Sequence, residues 1–232
     1  MNRALARTLK IAAGVTALAL GTVAFIHTST GGAIASGLVR MAHGGCPFGY
    51  DQAMNPSERE RARVHFAAEH RGETAAASRP ALGFTLDHTT RPQIVARMSA
   101  YGVRCSRGQG MSDLTCLHVP SVALPGNALP APERTLWFTF GVKDQLLSVI
   151  AVSRDPNVET IGAAFSGTQA ALNSQAGTAT ASNGPADSRT LAEGLLRQAV
   201  SEYRFTNYYA VARAANMGTA YVLTEEYRSL PD

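Results

Sequence analysis

Three cysteines and one histidine cluster are the side chains in this sequence with the most scope for chemistry. Cys46 lies in "RMAHGGCPFGY", shortly after a long apolar N-terminal stretch. Three readings compete for it. A lipidation site wants a Leu-like residue three positions earlier, where His43 stands, although Gly44 and Gly45 are suitably small. A Cys-Pro pair can ligate haem iron through its thiolate, the proline turning the chain away. The reading adopted is a structural or unpaired cysteine at the start of the folded region.

Cys105 and Cys116 flank a Gly/Ser/Asp-rich turn in "GVRCSRGQGMSDLTCLHVP". Antiparallel pairing of "VRC" with "LTCLHV" would bring them within disulfide reach. A zinc site would need further Cys or His ligands at ligand spacing, and His118 alone does not supply them. The expected outcome is a Cys105–Cys116 bond, which persists in an oxidising compartment.

In "HFAAEHR", His65, Glu69 and His70 tempt a zinc-hydrolase reading. The helical metalloprotease pattern needs two histidines four apart on one face. Here they are five apart, about 140° around a helix, so a solvated face is expected. "GQGMSD" has the spacing of a phosphate loop but no third glycine, and it lies between cysteines rather than between strand and helix. Ser166 in "AAFSGT" lacks the glycine two residues earlier that a nucleophile elbow requires. Asp87-His88 before Thr89-Thr90 reads as a strand end beside a helix cap. No catalytic, cofactor-binding or metal-binding residue is therefore assigned. The remaining candidate is a partner-binding surface on the Pro-rich loop 119–133, with Val122, Leu124 and Leu129 as its apolar contacts. A stiff extended backbone loses little entropy on binding.

These residues must be positioned by secondary structure that the patterning predicts. Asn55-Pro56-Ser57-Glu58 opens a helix that Gly72 stops, with Val64, Ala67 and Ala68 as a modest apolar stripe. "ALGFTLD" reads as a strand. Thr90-Arg91-Pro92-Gln93 is a capping box for a helix with Ile94, Val95, Met98 and Tyr101 on one face, and Gly102 ends it. Alternation in "TLWFTFGVKDQLLSVIAVS" predicts two strands joined at "GVKDQ". Val158, Ile161, Ala164 and Phe165 form one helical face. Leu191, Leu195, Ala199, Val200 and Tyr203 form another. A final hairpin turns at Asn216-Met217-Gly218.

The chain carries 21 basic and 17 acidic residues. Arg3, Arg7, Lys10 and Arg40 lie in the acid-free first 40 residues, so the remainder is balanced at 17 of each. No basic cluster with interleaved aromatics appears, which argues against nucleic-acid binding. After the basic start comes "IAAGVTALALGTVAFI", 16 residues without charge. As a helix it would span roughly 24 Å, short of the ~30 Å hydrocarbon core unless "GGAIASGLV" extends it. Residues 1–40 thus read as a signal sequence or membrane anchor, and the positive-inside bias leaves the rest outside the cytoplasm.

Residues 41–79 are expected to form a lead-in with a surface helix. Residues 80–232 are expected to form an α+β domain, an antiparallel sheet with helices packed on one face, with two similar halves, 80–155 and 156–232. The stretch "LGFTLDHTTRPQIVARMSAYGVRC" resembles exported modules of the BamE (SmpA/OmlA) type and β-lactamase-inhibitor-protein-like folds, over about residues 82–153. That resemblance implies a two-layer α+β module that binds other envelope proteins and carries no catalytic site. The expected protein is non-enzymatic and membrane-anchored in the cell envelope, held in the inner membrane and bound to an unidentified envelope protein. Secretion after signal cleavage is the alternative for its location. An enzyme or cofactor protein using Cys46 or a histidine site assembled in three dimensions is the alternative for its class.

Overall fold

The computed structural model describes residues 56–108, 113–124, 132–184 and 188–231. All of them belong to one unit of the chain, Asp51–Asp232. The apolar leader and Cys46 lie outside the described residues, and no described helix is long and apolar enough to cross a membrane.

The framework is an eight-stranded, wholly antiparallel sheet. Helix α1 (Pro56–His70) comes first. A two-residue hairpin follows, β1 (Pro80–Ala81) and β2 (Phe84–Thr85), and then α2 (Arg91–Ala100). The strands β3 (Cys105–Arg107), β4 (Leu114–Val119), β5 (Arg134–Phe140) and β6 (Leu146–Asp155) succeed one another as a meander. The chain then forms α3 (Val158–Gln175), β7 (Ala181–Asn183) and the short α4 (Ser188–Ala192). It ends in β8 (Gln198–Arg204), β9 (Tyr208–Asn216) and β10 (Tyr221–Ser229). Helix followed by four strands thus occurs twice, and the two last strands, β6 and β10, pair in the middle of the sheet. The strand order is β3-β4-β5-β6-β10-β9-β8-β7.

Local chemistry sets the helix ends. Gln93 accepts a hydrogen bond from the Thr90 N–H at 2.8 Å, which satisfies one orphan donor at the start of α2. Asn157 caps α3 by accepting from the Glu159 N–H at 2.9 Å. Along α3, Ile161, Ala164, Phe165, Thr168 and Leu172 recur at helical spacing and are buried. They cover one sheet face with Leu136, Phe138, Val149, Ala151, Ala210, Ala212 and Leu223.

Four expectations need correction. The helices do not all lie on one face. Tyr208, Ala210, Ala212 and Ala214 of β9 point to the α2–α3 side, whereas Tyr209 and Val211 point the other way, against Phe66 and Ala67 of α1. Strand residues alternate faces, so α1 covers the second face. The burial of α1 accordingly rests on Phe66 and Ala67, while Val64 and Ala68 stay exposed.

The helical face drawn through Leu191, Leu195, Ala199, Val200 and Tyr203 is also wrong. Residues 198–204 form β8, in which Ala199, Ser201 and Tyr203 are buried on one face. A spacing of four satisfies both a helix and a strand face, and the buried Ser201 between them decides for the period of two. Finally, "ALGFTLD" is not one strand and does not join the eight-stranded sheet. Leu82 and Gly83 both have positive φ (56° and 78°), which folds it into its own tight hairpin.

Candidate functional site

The expected disulfide is present. Cys105 and Cys116 face each other across β3 and β4, and their sulfurs are bonded. The bond ties the outermost strand of the first half, only three residues long, to its neighbour.

The other sequence candidates separate. His65 is exposed and lies 3.6 Å from Glu69, whereas His70 turns inward and stacks on Phe66 with ring centroids 4.1 Å apart. Asp87, at φ 65°, accepts from Arg79 and from the Ser229 hydroxyl, each at 2.6 Å, while His88 beside it is exposed. Ser166 is exposed on α3, and His118 forms an exposed pair with Glu133 at 2.9 Å. Among the described residues, no three of His, Cys, Asp and Glu are grouped to hold a metal ion.

The proposed binding loop is divided by burial. Val122 is 70% exposed on a 3-10 turn, Ser121–Ala123, but Leu124 is 1% exposed within the core. Leu124 is therefore a packing residue rather than a partner contact, because the turn directs it back onto the sheet. Leu129 lies outside the described residues.

The second sheet face is where the structure gathers side chains that sequence reasoning did not connect. Helix α1 lies across one end of it. At the helix start, Arg59 pairs with Asp113 at 2.7 Å and donates to the Phe140 carbonyl at 3.1 Å. Towards its end, Phe66 packs edge-on to Tyr209 at 5.0 Å, and the Arg228 guanidinium lies 4.3 Å from the Phe66 ring. Gly72 then comes so close to β8 that a Cβ there would meet the Arg204 carbonyl at 2.1 Å, which only glycine permits.

Beneath the helix end, Glu202 accepts from Arg204 at 2.9 Å and from the Tyr209 hydroxyl at 3.0 Å. Burial pushes Glu202 up, but these hydrogen bonds more than offset it, so the carboxyl titrates below its ordinary range. Burial drives Tyr209 the other way, well above the ordinary tyrosine value, with the Glu202 charge adding to it.

Beyond α1 the face continues. The register puts Thr115, Trp137, Ile150, Thr224 and Val222 on the α1 side of the sheet, together with Thr135 and Val152. All seven are partly exposed. They form a broad apolar and threonine-rich surface on regular strands, with Arg154 and Arg213 exposed at its margin. The alternation Thr135-Trp137-Thr139 in the sequence is its one readable sign.

Comparison with known proteins gives this architecture no relative: no protein family, no curated protein and no solved structure matches the chain.

Proposed function

We propose that this is a non-enzymatic protein of the cell envelope, anchored through its N-terminal segment in the inner membrane, whose folded part binds another envelope protein. The observation that carries the reading is the half-covered second sheet face, where Trp137, Ile150, Val152 and Val222 stay accessible beside α1. Aromatic and aliphatic side chains held on rigid strands form contact surfaces at low entropic cost, and partly exposed aromatics are enriched at interfaces. The Cys105–Cys116 bond supports an oxidising compartment outside the cytoplasm. The basic, apolar leader supports export and anchoring, and the resemblance of residues 82–153 to BamE-type modules supports a partner within the envelope.

The test is a photo-crosslinking amino acid placed at Trp137 or Ile150 of the full chain in intact envelopes, with Ser166 on α3 as the reference position. A discrete heavier adduct from the two sheet positions and none from Ser166 is expected. Equal or absent adducts at all three positions would remove this face as the binding surface.

A further inference from the structure

One end of the sheet, where β6 and β9 finish and β8 and β10 begin, holds a second surface with different chemistry. Leu195 is 68% exposed, Leu196 66% and Met217 52%. The three are neighbours: the Leu196 N–H donates to the Asn216 carbonyl at 2.8 Å, and Leu195 reaches within 3.1 Å of where a Cβ on Gly218 would lie. Leu196 adopts φ 61°, a left-handed conformation that leucine rarely takes. The Asn216 side chain braces the tip by donating to the Leu191 carbonyl at 2.9 Å. The leucines are thus held outward by ordered backbone.

Around this tip stand Arg154, Arg189, Arg197 and Arg213, all exposed and none in an ion pair among the described residues. Elsewhere Arg59, Arg63, Arg79, Arg91, Arg134, Arg204 and Arg228 each meet a carboxylate. Among the described residues, the acids near the tip are Asp155, which accepts from the Asn157 N–H, and the exposed Glu159 and Glu193.

We infer that this end of the sheet is a contact site for an anionic lipid surface. A protruding aliphatic tip enters the headgroup layer, and guanidinium groups around it pair with lipid phosphates. Leu195, Leu196, Met217, Arg189 and Arg197 lie outside the Trp137 surface, whose margin Arg154 and Arg213 share, and the inference does not depend on that surface binding a protein.

The experiment uses the full chain with Trp137→Phe, which removes the one native indole, and Leu196→Trp, which places an indole at the tip. Fluorescence is read in vesicles of brominated phosphatidylcholine with and without phosphatidylglycerol. The indole is expected to shift blue and be quenched only when phosphatidylglycerol is present. Replacing Arg189 and Arg197 with Gln should lower the ratio of lipid-bound to free tip about fivefold per arginine. Met217→Trp in the same background is the second probe, should Leu196→Trp disturb folding. An indole that keeps a solvent-like, unquenched spectrum in both vesicle types at both positions overturns the inference. So does an indole that is unquenched by lipid yet shielded in whole envelopes, which would assign the tip to a protein partner. Quenching unaltered by phosphatidylglycerol or by the arginine changes would also overturn it.

Discussion

Arg134 and Glu225 form a fully buried ion pair in the centre of the molecule, Nε to Oε2 at 3.0 Å. The other carboxylate oxygen accepts from Thr168 at 2.8 Å and from the Tyr227 hydroxyl at 3.1 Å. Arg134 belongs to β5 of the first half, whereas Glu225 and Thr168 belong to the second. The cluster therefore joins the halves across the β6–β10 seam with directional bonds between buried groups. Burying both charges is costly, and the pair is sustained only while its hydrogen bonds stay complete. Arg134→Met leaves Glu225 buried without its counter-charge and is expected to cost about 3–5 kcal/mol in denaturant unfolding. Adding Glu225→Gln should recover part of that loss, since a neutral amide oxygen still accepts from Thr168 and Tyr227. Nothing in the sequence paired these residues: they are 91 positions apart, and each stands in a strand whose alternation alone cannot say what lies opposite.

The elements differ in how strongly their own residues hold them. Strands β5, β6, β9 and β10 are seven to ten residues long and lie inside the sheet. β3 and β7 are three residues each and lie at its two edges. Short edge strands limit unwanted edge-to-edge pairing but are weakly held. The disulfide secures one of them by closing a loop with a separation of 11 residues. Reduction is expected to cost about 3 kcal/mol on the loop-entropy account, read as a shift of the denaturant midpoint with and without reductant. Helix α1 is held differently, by Arg59 at one end and the Phe66–His70–Tyr209 rings at the other. Its two ends act on elements far apart in the chain, which explains why its apolar stripe looked too thin to bury.

The whole molecule should show two distinct pH limits. Glu202 titrates below its ordinary 4.5 in the folded state, so its contribution is present above that value and is lost as the pH falls through the lower folded value. Tyr203 is pushed by burial from 10 up to about 12. Its contribution is complete below pH 10 and is lost as the pH rises towards 12, because the unfolded chain ionises first. Melting temperature against pH is expected to fall at both ends, with Glu202→Gln flattening the acid limb and Tyr203→Phe flattening part of the alkaline one. Much of this architecture was written locally. The Cys105–Cys116 pairing, the cap at Thr90, the alternation of Leu136, Phe138 and Phe140, and the Asn216–Gly218 turn depend on near neighbours, so the sequence alone determined them. The tertiary structure alone decided which face α1 covers, that residues 198–204 are strand, that Leu124 is buried, and that Trp137 and the Leu195–Leu196 tip remain accessible. Those outcomes depend on what other segments leave uncovered, and burial is a property of the assembled sheet that no local periodicity carries.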